Sequence, residues 1–244
     1  MCTVSFIPSG NKVIITSNRD EKIVRPAALP PEKMMSTADG AIYYPVDAQA
    51  GGTWFIANTN GDVGVLLNGA YKKHQPQSSY RHSRGSILPA LFNVENLWGA
   101  LHSFNFNGIE NCTLVLYISG RLRECIWDGN ELAITSLNER ERYIWSSVTL
   151  YNEAMIAERK QWFSAFINNN PNPTQQEIID FHTHTGNGNN HYGLKMNRDN
   201  TMLTVSITSA SIGKKNTQLE YVDCLNDLRT TNRLPIKLAT QTIY

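Results

Sequence analysis

Short strand-like segments that alternate with turn signals constrain the fold of this chain more than any other feature. The first pair of segments is TVSFI and KVIITS, and the sequence between them predicts a turn centred on Ser9-Gly10. A second pair is joined by TNGD, in which Asn60-Gly61 is the strongest short signal for a β-hairpin, because that turn needs residues that accept positive φ. The sequence therefore predicts antiparallel sheets assembled from consecutive hairpins.

The remaining elements are marked by glycine-containing turns between strands and by capping residues at helix ends. In chain order we predict helices within 83–104 broken or capped near Pro89 and Asn93, a three-stranded meander with turns at Ser119-Gly120 and Asp128-Gly129, a helix from Thr149 to about Ile167, a short helix capped by Thr174 and Glu177, strands around MLTVSIT and QLEYVD, and a polar tail. Many hairpins with a few interposed helices predict an α+β fold in which helices pack on sheets. Since no repeat and no long linker interrupts the pattern, we expect one domain over residues 1–244.

Composition restricts the classes of partner. The 22 Lys and Arg residues balance 21 Asp and Glu residues, for a net charge of +1, which argues against nucleic acid or an anionic membrane as the main partner. No run of 18 apolar residues is present, so no membrane span is expected. Four cysteines without a CxxC pair, and an N-terminus without a signal-peptide pattern, predict a reducing, cytoplasmic location. Cys112 and Cys125 fall in apolar strand patterns and are predicted to be buried thiols.

Cys2 is the strongest candidate for chemistry. If Met1 is removed, Cys2 carries both a thiol and an α-amino group, whose ordinary pKa of ~7.7–8.0 allows it to act as a base at neutral pH. The predicted hairpin brings Cys2 beside Asn18, Arg19 and Asp20, where a carboxylate can hold the amine and a guanidinium can favour the thiolate. The alternative is a small hydrophobic residue at the start of an edge strand that ends in a surface salt-bridge cluster.

Several motifs in a fixed order, namely MC, SNRDE, RPA, GGTWFIANTNGDVGVLLN and SRGSIL, closely resemble the NRDE family, which includes the transport and Golgi organisation protein 2 group. The resemblance implies an N-terminal-nucleophile hydrolase fold, a four-layer αββα sandwich. The chain is also similar, more distantly, to cysteine-type amidases that cleave bile salts and penicillin V. By that similarity we expect the following catalytic residues: Cys2 as nucleophile and base, Asp20 as the group that orients it, Asn68 as a donor to the oxyanion, and Arg198 near the nucleophile. Asn18, Arg19 and Trp54 are expected to bind substrate or to support these groups.

Two positions depart from the amidase pattern. Those enzymes carry an arginine three residues before the aspartate, whereas here Arg19 immediately precedes Asp20 and should face the other side of a regular strand. They also carry an asparagine after the meander, where this chain has Ser147, Val148 and Thr149. One oxyanion donor is therefore either missing or supplied by the backbone.

The predicted function is hydrolysis of a small-molecule, non-peptide C–N amide bond through a Cys2 thioester, without a cofactor. The alternative is a non-enzymatic pocket protein that carries a small ligand such as haem. An H-x-H pattern within FHTHTGNGNNHYG, with His182, His184 and His191, is compatible with a metal ligand set, but no carboxylate or cysteine adjoins it. We therefore predict a polar loop and no metal site there.

Overall fold

The computed structural model describes residues 3–36, 40–186 and 188–236, and its strands form two antiparallel sheets. The strands are β1 (Thr3–Ser9), β2 (Lys12–Lys22), β3 (Leu29–Met35), β4 (Ala41–Val46), β5 (Phe55–Asn58), β6 (Val63–Asn68), β7 (Cys112–Ile118), β8 (Arg121–Trp127), β9 (Leu132–Leu137), β10 (Tyr143–Ser146), β11 (Asn197–Arg198), β12 (Met202–Ile212), β13 (Asn216–Asp223) and β14 (Leu228–Pro235). The helices are α1 (Ile87–Phe92), α2 (Leu97–Ser103), α3 (Glu153–Asn169) and α4 (Gln175–His184).

One sheet has the order β10-β1-β2-β12-β13-β14, with β11 also paired to β12, and the N-terminal hairpin lies near its centre. Ser9 pairs with Lys12, so the turn is Gly10-Asn11 and the predicted centre at Ser9-Gly10 was wrong by one residue. Gly10 has a φ of +58°, a conformation that a glycine accepts at the first position of a two-residue hairpin loop. The resulting register pairs Thr3 with Asn18, which lies in the predicted neighbourhood.

The second sheet runs in simple chain order from β3 to β9. It contains the predicted Asn60-Gly61 hairpin, as the β5–β6 connection, and the predicted meander, as β7–β9. Strands β3 and β4 were not predicted, because prolines and charged side chains interrupt their apolar pattern.

Three apolar layers hold the elements together, which confirms the predicted four-layer αββα sandwich. Residues such as Phe6 and Phe55 meet between the two sheets. Helices α1 and α2 cover the outer face of the β3–β9 sheet, where Leu88 and Leu91 contribute to a second core. Helices α3 and α4 cover the other sheet, with Phe163 in a third core. Burial of apolar surface on both faces of each sheet stabilises the stack.

Helix boundaries differ from the predictions where local geometry decides them. Pro89 lies in the first turn of α1 and does not break the helix, because backbone N–H groups in a first turn have no intrahelical acceptor and their absence costs no hydrogen bond. Asn93 directly follows the last residue of α1, as predicted. The helix predicted from Thr149 begins only at Glu153, since residues 147–151 form a turn and the Asn152 side chain caps the helix. The capping box of Thr174 and Glu177 was predicted and is present at the start of α4.

The predicted polar tail was wrong in part. Residues Leu228–Pro235 form β14, which pairs with β13 along its whole length. An exposed edge strand satisfies its backbone through the neighbouring strand and needs little apolar side-chain pattern, so the sequence carries a weak signal for it. No helix in the described ranges is long and apolar enough to cross a membrane.

Candidate active site

Thr3 begins β1 and is fully buried between the neighbouring strands. It pairs with Asn18 of β2 on one side and with Ser146 of β10 on the other, and its carbonyl oxygen accepts a hydrogen bond of 3.2 Å from Ser17 Oγ. Cys2, predicted as the nucleophile, lies outside the described residues. The structure therefore shows the position of Thr3, the residue bonded to Cys2, which pairs with a strand on each side.

Asp20 lies two residues beyond Asn18 on β2 and is buried. Tyr151 Oη donates to Asp20 Oδ2 at 2.7 Å, and Thr204 Oγ1 donates to Asp20 Oδ1 at 2.5 Å. Tyr151 belongs to the turn before α3 and Thr204 to the adjacent strand β12. Each carboxylate oxygen thus has a fixed donor, which restricts the orientation of the group.

Arg19 points away from Asp20, into the space between the sheets, as the alternation of a strand requires. Its Nη2 contacts Asp47 Oδ2 at 2.5 Å, and its guanidinium carbon lies 4.3 Å from the centroid of the Trp54 ring. Burial would raise the pKa of Asp47, but the hydrogen bond from Arg25 and the charges of both arginines outweigh it and hold the pKa below its ordinary value. The Trp54 indole Nε1 is buried and has no hydrogen-bond partner among the described residues.

Asn68 ends β6 and joins two small cavities. One, of about 140 Å³, is also lined by Arg19 and Trp54; the other, of about 170 Å³, is also lined by Ser146 and Ser147. The Asn68 carbonyl oxygen accepts a hydrogen bond of 2.7 Å from Ser147 Oγ. Arg19, Trp54 and Asn68 therefore share one polar cavity, and Asn68 is tied to the residue that follows β10.

Arg198 of β11 does not line either of the cavities that Asn68 lines. Its Nη2 donates to the carbonyl oxygen of Leu150 at 2.9 Å and its Nε to that of His191 at 2.7 Å, while its guanidinium carbon lies 5.4 Å from the Tyr151 ring centroid. It lines a cavity of about 520 Å³, which is large enough for a small organic ligand. The cavity combines cationic side chains with apolar and aromatic ones: Lys72, Lys73 and Arg198 against Tyr71, Met155 and Ile156.

Asn18 does not line these cavities. Its amide nitrogen donates to the backbone oxygens of His182 and Leu194, so its Oδ1 is the acceptor for His182 Nδ1 at 2.6 Å. His182 Nε2 then accepts from Ser5 Oγ at 2.8 Å. The interaction links β1 and β2 to helix α4 and leaves Asn18 in a supporting position within the sheet-helix layer.

The prediction of a polar loop was wrong for His182 and His184, which both lie on α4. His182 is fully buried, and burial together with the nearby charge of Arg159 lowers its pKa to about 3. With both ring nitrogens in hydrogen bonds, it is neutral and not free to bind a metal. The described residues contain no group of three or more potential metal-ligating side chains.

Three thiols in the described ranges are free and poorly suited to reaction. Burial raises the pKa of Cys112 and Cys125 to about 12 and that of Cys224 to about 11. The prediction that Cys112 and Cys125 are buried is confirmed. A thiol reacts as the thiolate, so these three cysteines are expected to react slowly at neutral pH.

The site contains residues that the sequence analysis missed. Asp47, Tyr151, Thr204 and Arg159 reach it from four separate elements or turns. Only the tertiary structure brings them to the N-terminal hairpin, and no local motif distinguishes them from ordinary polar residues.

The αββα stack, in which β1 lies between β10 and β2, is the fold type that the resemblance implied, that of the N-terminal-nucleophile hydrolases. The fold is similar to the C2A mutant of conjugated bile acid hydrolase from Clostridium perfringens, with a TM-score of 0.56 and 10% sequence identity, over 95% of this chain and 96% of that one. It is also similar to the Caenorhabditis elegans ortholog of N-acylethanolamine-hydrolyzing acid amidase, with a TM-score of 0.55 and 10% identity, over 85% of this chain and 92% of that one.

The chain belongs to the Transport and Golgi organisation 2 family, whose model matches residues 1–185. This confirms the resemblance to the NRDE family that the motifs indicated. No curated protein sequence matches the chain significantly.

Proposed function

We propose that this protein is a cysteine-type N-terminal-nucleophile hydrolase that cleaves a non-peptide amide bond in a small molecule, with Cys2 as the nucleophile. The observation that carries the proposal is the arrangement around the start of β1. Thr3 is held between β2 and β10, Asp20 and Arg19 lie on opposite faces of the neighbouring strand, and Asn68 is tied to the end of β10. The bile acid hydrolase with a similar fold was studied as a C2A mutant, which supports a functional role for the cysteine at position 2.

The proposed reaction uses the free amine of Cys2 after removal of Met1. The amine takes the thiol proton, the thiolate attacks the amide carbon, and the tetrahedral intermediate carries the negative charge on oxygen. The Asn68 amide is the proposed donor to that oxygen, and Asp20 orients the amine. The leaving amine takes the proton, and water then hydrolyses the thioester to give the acid and the free thiol.

The two types of cavity suggest how a substrate is divided across the site. The polar cavity at Arg19, Trp54 and Asn68 has room for a small polar group. The cavity of about 520 Å³ has room for the larger part of the molecule. We propose that the scissile amide lies between them, beside Asn68.

A second candidate function, carriage of a small ligand such as haem, is favoured by one observation. The larger cavity combines cationic and apolar side chains, which suits an apolar ring system that carries carboxylates. Stoichiometric binding that is the same in the wild type and in Cys2→Ala, without turnover, would support the carrier. Turnover that depends on Cys2 would support the hydrolase.

The decisive experiment is brief labelling of the native protein with limiting iodoacetamide, followed by peptide mapping. Cys2 should react well before Cys112, Cys125 and Cys224, whose pKa values burial raises. Cys2→Ala serves as the control, and intact mass should show loss of one methionine. Equal labelling of Cys2 and Cys224, or Met1 retained in a protein whose Cys2 is reactive, would contradict the free-amine mechanism.

Asp20→Asn tests the orienting role in the same assay. The variant keeps the shape of the side chain but loses the charge that is proposed to hold the amine, so Cys2 should be labelled more slowly in a protein that remains folded. Unchanged labelling kinetics in the folded variant would remove Asp20 from the proposed site.

The free thiols of the described residues also support the proposed cytoplasmic location, because unpaired cysteines persist in a reducing compartment.

A further inference from the structure

Arg159 of helix α3 is a fully buried arginine that contacts the first described residue of the chain. Its Nη1 donates to Thr3 Oγ1 at 2.7 Å and to Ser146 Oγ at 3.1 Å. Its Nε and Nη2 donate to the backbone oxygens of Tyr192 and Gly193, each at 3.0 Å. The guanidinium therefore joins β1, β10 and the loop before β11 at one point.

No carboxylate neutralises this guanidinium among the ion pairs of the described residues. A buried charge without a counterion is expensive, and here four hydrogen bonds to neutral oxygens provide the compensation. An apolar side chain would fill this core position at a lower cost in free energy. The hydrogen bonds that Arg159 makes are therefore the feature that points to a role.

The same side chain also reaches the Asp20 region. The Arg159 guanidinium carbon lies 3.7 Å from the centroid of the Tyr151 ring, and Tyr151 Oη donates to Asp20. Arg159 thus touches both the residue next to Cys2 and the residue that orients the Asp20 carboxylate. Planar stacking and a fixed fork of donors are properties that lysine cannot reproduce.

We propose that Arg159 is a positioning residue that sets the start of β1 and the Asp20 carboxylate in one fixed relation. This inference rests on the proposed function of Cys2 and adds a part to it: Arg159 acts through Thr3 and Tyr151 and has no contact with the reacting atoms. When this relation is lost, the amine and thiol of Cys2 are no longer held against Asp20, and Cys2 becomes an ordinary N-terminal cysteine.

The charged and titratable groups packed around this point come from four elements and one turn. Strand β2 contributes Asp20, the turn before α3 contributes Tyr151, and helix α3 contributes Arg159. Strand β11 contributes Arg198, which lies over the same Tyr151 ring, and helix α4 contributes His182. His182 is neutral above acidic pH, because its pKa is about 3. A change in the pH dependence of Cys2 between neutral and alkaline pH is therefore not a titration of His182.

The test is the pH–rate profile of Cys2 labelling by iodoacetamide in the full chain. Thr3→Val removes the hydroxyl that accepts from Arg159 but keeps the shape, whereas Thr3→Ser keeps the hydroxyl. Arg159→Lys keeps the charge but loses the fork and the stacking. Arg123→Lys is the matched control, since Arg123 stacks on Trp98 at 3.8 Å in the other sheet.

We expect Thr3→Val and Arg159→Lys to slow Cys2 labelling at neutral pH about tenfold and to move the midpoint of the profile upward, toward that of an unperturbed cysteine. Thr3→Ser and Arg123→Lys should stay within about twofold of the wild type. The double variant should lose less than the sum of the two single variants, because both changes remove the hydrogen bond between Arg159 and Thr3.

Thermal unfolding and intact mass of each variant show that it is folded and that its Met1 is processed. If Arg159→Lys does not fold, the two Thr3 variants decide. Folded variants with a lower melting temperature but a wild-type profile would show a structural role only and overturn the positioning inference. A wild-type Cys2 with an ordinary profile would instead overturn the proposed function itself, and the inference with it.

Discussion

The buried His182 should make the stability of this protein depend on pH in a predictable window. Its pKa is about 3 in the folded chain, against an ordinary value of 6.5, because burial and the charge of Arg159 both disfavour the protonated ring. Between these two values the unfolded chain binds a proton that the folded chain does not. Stability that is fully present above about pH 6.5 is therefore lost progressively as the pH falls.

The size of this loss of stability follows from the protonation of His182 in the unfolded chain. At pH 5 the ordinary pKa of 6.5 lies 1.5 units above the pH, and each unit corresponds to about 1.4 kcal/mol, so protonation stabilises the unfolded chain by about 2 kcal/mol. The folded ring is still neutral at pH 5, so this figure does not depend on the depth of its lowered pKa. Asp47, whose pKa is also lowered, affects stability only at more acidic pH, below its ordinary value.

The assay is urea unfolding of the wild type and of His182→Gln at pH 7.5 and pH 5. The variant should be less stable at pH 7.5, since it loses the hydrogen bonds to Asn18 and Ser5, but its further loss at pH 5 should be smaller by about 2 kcal/mol. His184→Gln, on the exposed side of the same helix, should keep the wild-type pH dependence. The same loss between the two pH values in His182→Gln and in the wild type would refute the reasoning.

Two further predictions concern packing and capping. Gly64→Ala should destabilise the protein by about 1–3 kcal/mol in urea unfolding, because the new Cβ would lie 2.8 Å from the Phe92 ring and 2.9 Å from Leu88. Gly213→Ala is the control. Its new Cβ would have its closest contact at 3.4 Å, so the loss of stability should be much smaller. Thr174→Ala should lower the stability by about 1 kcal/mol, because the capping box of α4 is lost. Thr174→Ser should retain most of the wild-type stability, because serine can make the same cap. Equal melting temperatures for the two variants would contradict the capping argument.

The sequence by itself determined three of the hairpin turns and the N-terminal cap of α4. Asn60-Gly61, Ser119-Gly120 and Asp128-Gly129 specify turns because the required backbone conformation is a property of a few adjacent residues. The alternation of Arg19 and Asp20 to opposite faces was likewise predictable, since the period of a strand is fixed by covalent geometry. The αββα fold class followed from the resemblance of these motifs to a known family and not from local geometry.

The tertiary structure alone decided which side chains meet those motifs. Asp47 reaches Arg19 from another sheet, and Tyr151 and Thr204 reach Asp20 from a turn and a neighbouring strand. Arg159, far from the N-terminus in the chain, contacts Thr3 only because α3 packs on the sheet that contains β1. Such contacts depend on strand order and on how the layers stack, which are set by the burial of apolar surface over the whole chain and leave no signal in any short segment.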